Sequence, residues 1–213
     1  MMTQKALVLG ASGLIGRQLT EQLLNNNNYH AVQILVSRPL DLEHPKLQQQ
    51  IYDYNAPEAN VLQANHVYCC LGTTIKTAGS AEAFRKVDYD YVVQTTALAQ
   101  QKGATHLAVV SSMGADAHSK LLYSQVKGEM EAALQAQNWQ SLYILRPSLL
   151  MGNRQEFRLG ERIGQVLAKG LSFLIPARYK GIESKQVAKA MQHYLTNAQK
   201  GTHLIESDAL QNV

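Results

Sequence analysis

The stretch Ala6-Leu7-Val8-Leu9-Gly10-Ala11-Ser12-Gly13-Leu14-Ile15-Gly16 decides the fold. Its four leading apolar residues read as a short buried strand, and three glycines spaced three apart follow at once. From Gly13 to about Asn26, the apolar residues Leu14, Ile15, Leu19, Leu23 and Leu24 recur at helical spacing, and the polar run from Asn25 to Asn28 ends that helix. Strand, glycine turn and helix in this order make a diphosphate cradle. One glycine permits the tight turn, one lets the backbone approach the pyrophosphate, and one lets helix and strand pack closely. The helix N-terminus adds free N–H groups and a partial positive charge. Gly10, Ala11, Ser12, Gly13, Leu14, Ile15 and Gly16 are therefore expected to hold a dinucleotide.

Outward from this unit, apolar runs and helical segments alternate to the end of the chain. Strands are expected at Val32–Val36, Gln50–Tyr54 (the weakest), Val67–Leu71, Leu107–Val110, Leu142–Leu145 and Thr202–Ile205. Helices are expected over Ala81–Gln101, Leu121–Gln137, Glu156–Lys169 and Ser184–Asn197. Strands separated by helices of ten or more residues pair in parallel, because parallel neighbours need a crossover. The expectation is an α/β protein: a doubly wound parallel sheet, a Rossmann fold of about seven strands, in one domain over residues 1–213. Residues 151–182 would contribute a small C-terminal substrate lobe. The stretch from Phe157 to Pro176, with Arg178 beyond it, is rich in Leu, Ile and Gly and suits either an apolar pocket or a subunit interface. A homodimer stays open.

The 213 residues suffice for a large core without metals or disulfides. The net charge of +4 is spread along the chain rather than clustered, so no nucleic-acid surface is expected. No apolar run approaches the roughly 18 residues of a membrane span, and no signal-peptide pattern precedes the first strand. The only cysteines, the adjacent Cys69 and Cys70, read as buried packing in a reducing, cytoplasmic setting. The seven histidines lack metal-ligand spacing.

The second strand bears on cofactor choice. An NAD site usually has an acidic residue about twenty residues past the glycines, bonding the ribose 2′-hydroxyl. Here the strand ends Leu35-Val36-Ser37-Arg38, with no carboxylate until Asp41. Arg38 would pair with a 2′-phosphate through its planar fork, unless it is an ordinary solvent-facing strand end. NADP(H) is favoured and NAD(H) remains open. Asp53, near the end of the third strand, is a candidate acceptor for the adenine amino group.

Tyr123 and Lys127 lie four apart on an expected helix and share one face. A free phenol ionises near pH 10, and a neighbouring ammonium favours its phenolate form. A Tyr so placed can serve as acid or base for a carbonyl/alcohol pair. The fifth strand runs into Val110-Ser111-Ser112, where a hydroxyl could orient the substrate oxygen. Counting along the strand favours Ser112, with Ser111 as the alternative. Asp88 lies on the helix after the fourth strand; resemblance to short-chain dehydrogenases would place it where many of them hold a proton-relay water with Asn, and a helix cap or a surface position fits it equally.

The glycine spacing and the Ser-Tyr-Lys set resemble the short-chain dehydrogenase superfamily. Further blocks narrow this: Cys69-Cys70-Leu71-Gly72-Thr73-Thr74, Phe84-Arg85-Lys86-Val87-Asp88, Ser111-Ser112-Met113-Gly114-Ala115-Asp116, Tyr123 to Glu129, and Leu145 to Glu156. In that order, and over about residues 5–206, they resemble the Tat-interacting-protein-like family of atypical short-chain dehydrogenases. The resemblance implies an NADPH-binding Rossmann fold and reduction of a small-molecule carbonyl, or oxidation of an alcohol. It implies that Lys127 serves the ribose hydroxyls as well as the phenol. Leu71, Gly72 and Thr73 would lie over the cofactor, Leu150 near the nicotinamide, and Arg158 would be a further contact unless it is a plain helix-face charge. Two residues depart from the pattern: Ser148 stands where relatives often carry Gly, and Arg38 stands alone where a pair of arginines is expected. Some animal members are described as regulators, so an NADPH-binding module without turnover is the competing reading.

Overall fold

A computed structural model describes residues 4–151 and 176–213. Seven strands form one sheet: β1 (Gln4–Leu9), β2 (Tyr29–Val36), β3 (Leu47–Ile51), β4 (His66–Cys69), β5 (His106–Val110), β6 (Ser141–Arg146) and β9 (Gly201–Glu206). Their order is β3-β2-β1-β4-β5-β6-β9, and every pairing is parallel. The strands β7 (Leu150–Met151) and β8 (Ile182–Glu183) make a separate two-stranded parallel ribbon that the sequence pattern did not reveal. The order turns back between β1 and β4, and such a switch opens a crevice beyond the carboxyl ends of the strands.

Strand residues alternate between two cores. Ala6 and Val8 of β1 belong to one core, and Leu7 and Leu9 to the other. Helix α1 (Leu14–Leu24) covers the first core with Ile15, Leu19 and Leu23, and the helix we label α6 (Ser184–Thr196) adds Val187, Met191 and Leu195. The second core lies under α4 (Tyr91–Gln101) and α5 (Leu122–Ala136), which contribute Val92, Ala99, Met130 and Leu134. Burying a side chain of this size stabilises by about 2 kcal/mol, so both helical layers are fixed by their apolar stripes.

Two expectations shift. The third strand forms three residues earlier than its apolar end suggests, through the polar run Leu47-Gln48-Gln49-Gln50-Ile51. It is an edge strand held by backbone pairing of Leu47 with Val32, so side-chain pattern says little about its position. The helix expected over 81–101 is realised in pieces: α3 (Ala81–Arg85), a π-helical turn over Lys86–Asp90, then α4. Ahead of it the short α2 (Ile75–Ala78) is capped by Thr74 and stopped by Gly79 at φ +83°. The expected helix over 156–169 lies outside the described residues. No described helix is long and apolar enough to cross a membrane.

Candidate functional site

The glycine turn owes its composition to close approach. Gly10 has φ +77°, and a Cβ there would stand 2.7 Å from the Cys70 backbone carbonyl. A Cβ on Gly16 would stand 2.1 Å from the Gly10 carbonyl oxygen. Gly13 N–H donates to that same oxygen at 3.0 Å, and Gly13 then caps α1 with no side chain of its own. No acidic residue occupies the first turn, so the helix N-terminus presents N–H groups and positive potential to the crevice.

Across the crevice lie the segment after β4 and the start of α5. One cavity is bounded by Gly13, Leu14 and Ile15 on one side, Leu71, Gly72 and Thr73 on another, and Tyr123, Lys127 and Leu150 on the third. Cys70, Asp88, Val110 and Ser111 complete its wall. The structure thus brings most of the sequence-selected residues to one place. Gly10, Ala11, Ser12 and Gly16 of the turn lie behind this lining, and Arg38, Asp53 and Ser112 lie apart from it. Arg38 is exposed just beyond β2 with no partner among the described residues. Asp53 is exposed too, and its Oδ1 accepts from the Asn55 backbone N–H at 2.8 Å and the Asn55 side chain at 3.0 Å, bonds that lower its pKa. Ser112 is off the lining, and its buried hydroxyl lacks a partner among the described residues. Ser111, on the lining, gives its hydroxyl to Glu131 at 2.5 Å. Arg158 falls outside the described residues.

The charged centre of the cavity is an ion pair. Lys127 Nζ lies 2.8 Å from Asp88 Oδ1, and the two side chains are 5% and 1% exposed. The other carboxylate oxygen accepts the Thr73 backbone N–H at 2.7 Å. Burial alone would pull the Lys127 ammonium down, but Asp88 first, then Tyr123 and Cys69, outweigh it and hold the ammonium above its ordinary value. The Tyr123 ring stacks on Phe84 at 5.5 Å, and its hydroxyl is unpaired among the described residues. Gly128, next after Lys127, has no room for a side chain: a Cβ would stand 2.1 Å from the Ala117 nitrogen. Asp116 N–H also donates to the Ser124 carbonyl at 3.0 Å, so the loop after β5 is pressed onto α5.

Sequence reasoning left Asp88 with several roles and did not find its partner. The signal was present: Phe84, Asp88 and Val92 are spaced four apart and all buried, so a carboxylate interrupts an apolar stripe. The ion pair of Glu131 with Arg146 was missed as well. Arg146 Nη2 lies 2.5 Å and Nε 3.0 Å from the two Glu131 oxygens, and Nη1 reaches Glu206 at 3.2 Å. The cysteines behave as packing groups beside the cavity. Burial pushes the Cys69 thiol up to about 11, and Cys70 points its thiol at the Met191 sulfur.

A glycine turn at the switch point of a parallel sheet, facing a Tyr and a Lys four apart, defines an NAD(P)-binding protein of the short-chain dehydrogenase type. The chain belongs to the NAD(P)H-binding family, whose sequence profile matches residues 10–198, and the Tat-interacting-protein-like resemblance holds. Rat protein HTATIP2 is 34% identical over 217 residues, spanning 99% of this chain and 89% of the relative. The protein named FMP52, mitochondrial, of Debaryomyces hansenii is 30% identical over 197 residues, 88% of this chain and 86% of the relative. Among solved structures, MoeE5 in complex with UDP-glucose and NAD superposes with a TM-score of 0.72, covering 97% of this chain and 79% of that one. Its identity is 16%, so it shows the fold alone. The cytoplasmic expectation is overturned, because that relative and further ones named FMP52 are mitochondrial by name. Two cysteines without a disulfide do not say which compartment the protein occupies.

Proposed function

We propose that this protein is an NADP(H)-dependent oxidoreductase that reduces the carbonyl group of a small molecule. One observation carries the reading: Tyr123 and Lys127 line the same cavity onto which the glycine turn opens. The turn fits a diphosphate, since Gly13 caps α1 without a side chain, no acidic residue follows in the first turn, and Gly13, Leu14 and Ile15 line the cavity. A nicotinamide cofactor, when bound, supplies the hydride. The Tyr123 hydroxyl, having no partner of its own among the described residues, gives its proton to the carbonyl oxygen. Ser111, not Ser112, reaches the wall of that cavity, and its hydroxyl is already given to Glu131. Lys127 binds the ribose hydroxyls and keeps a positive charge next to the phenol. Leu71, Gly72, Thr73 and Leu150 exclude water around the reacting carbon. Arg38 supports NADP(H) over NAD(H), being an uncommitted guanidinium beyond the second strand.

The test is turnover of NADPH with a panel of aldehydes, ketones and quinones, followed by loss of nicotinamide absorbance. Tyr123→Phe is expected to lower kcat about 100- to 10,000-fold, the usual worth of a positioned acid, while NADPH affinity is retained. Tight NADPH binding with no turnover across the panel would replace the enzyme reading with that of a binding module.

A further inference from the structure

We infer that Asp88 is a positioning residue: it holds the Lys127 side chain, in its charged form, against the cavity, so that the ammonium keeps N–H donors for a ribose diol. The inference rests on the reading of Lys127 as the ribose-binding group and gives it a mechanism.

Four features converge on it. First, Asp88 sits within the π-helical turn Lys86–Asp90, an irregularity that in helices is frequent at functional sites. Second, its two oxygens face two different elements. One meets Lys127 on α5, and the other takes the Thr73 N–H from the segment after β4. Removing the carboxylate would therefore loosen the ammonium and the loop beside it together. Third, that loop crosses the ion pair at glycine. A Cβ on Gly72 would stand 3.1 Å from Asp88 Oδ1 and 3.6 Å from Lys127 Nζ, so the backbone lies directly against the pair. Fourth, an ammonium has three donors, and Asp88 is its one close carboxylate among the described residues. Lys127 itself lines the cavity that the glycine turn shares.

The groups around Lys127 leave Asp88 as the source of compensation. Tyr123 faces it from its own helix and Cys69 from β4, and both are weaker influences than Asp88. Glu131, one turn further along α5, is committed to Arg146 and Ser111. With an amide at position 88 the Thr73 bond could persist, but a fully buried ammonium would lose its counter-charge, and burial would then favour the neutral amine.

The experiment uses the full chain labelled with 13C in its lysine side chains, as wild type and as Asp88→Asn. The Lys127 resonance is assigned by its absence in Lys127→Arg and followed from about pH 6 to 11. Wild-type Lys127 is expected to ionise above the ordinary lysine value of 10.5, and Lys127 of D88N below it. In parallel, NADPH affinity is measured by fluorescence titration from about pH 7 to 9.5. It should stay level for wild type and fall about tenfold or more for D88N as its lysine discharges. Equal Lys127 titrations in the two proteins, or parallel affinity profiles, overturn the inference. If D88N does not fold, the wild-type resonance decides: ionisation at or below 10.5 defeats the proposed pairing. If wild type binds no NADPH, the functional reading falls, while the lysine titration still judges Asp88.

Discussion

Helix α5 carries two buried charges one turn apart, Lys127 and Glu131, and the chain holds them in opposite ways. Glu131 is saturated. Its oxygens accept from Ser111 and from two nitrogens of Arg146, and Arg146 in turn reaches Glu206 and the Ala115 carbonyl at 3.3 Å. Lys127 has Asp88 and a cavity. A network with every donor and acceptor used rigidifies, whereas one with donors to spare is ready for a ligand. The first pair ties α5 to β6 and β9; the second waits at the mouth of the sheet. By spacing alone, Lys127 and Glu131 would be taken for an ordinary helical ion pair with each other. The fold separates them and gives each a partner from elsewhere.

The partners also differ in what happens when they are lost. Arginine cannot shed its proton inside a protein, but lysine can. Glu131→Ala is therefore expected to cost about 3 kcal/mol of stability, because it removes the carboxylate that meets two nitrogens of a guanidinium only 20% exposed and leaves it Glu206 as carboxylate partner. In urea unfolding the loss should be the same at pH 7 and at about pH 9.5, since no proton can be released to relieve it. A loss that shrinks as pH rises would mean that the Arg146 network does not differ in kind from the Lys127 pair.

A third buried group sharpens the contrast, because it has no counter-charge at all. His66 is 7% exposed, and burial, helped by His106, pushes its pKa down to about 4. Its Nδ1 shares a hydrogen bond of 2.8 Å with the Tyr29 hydroxyl, which also meets the Tyr68 hydroxyl at 2.6 Å. Above about pH 6.5 the ring is neutral folded and unfolded, so it adds no pH dependence. As pH falls from there towards 4, the unfolded chain takes up a proton that the folded chain refuses. Stability should drop by about 3 kcal/mol over that interval and level off below it. His66→Gln should flatten this part of the profile; an unchanged slope in the variant would assign it to other groups.

The exposed, unpartnered Arg38 stands at the far end of the series. Arg38→Ala should leave stability unchanged and weaken NADPH by about 2 kcal/mol, as for a lost hydrogen bond to a charged group, with little effect on NADH. Equal weakening of both cofactors would remove Arg38 from the 2′-phosphate site.

These contrasts follow the boundary between what the sequence makes legible and what it does not. Where a segment is decided by burial on both sides, pattern suffices. The first strand was expected at Ala6–Leu9 and spans Gln4–Leu9, and α5 was expected at Leu121–Gln137 and spans Leu122–Ala136. The edge strand β3 was misplaced because backbone pairing, not side-chain burial, sets its register. The π turn was invisible because one inserted helical residue leaves the amphipathic stripe nearly intact on either side. The glycine turn, Tyr123 and Lys127 were legible because each lies at a fixed offset from a strand or within one helix turn. The Asp88–Lys127 pair joins residues 39 apart across two elements, which no local spacing encodes.

Gly128 sets a constraint of another kind. With hydrogen as its only tolerated side chain, it welds the loop after Ser112 to the helix that bears Tyr123 and Lys127. Those three groups then shift as one block or not at all.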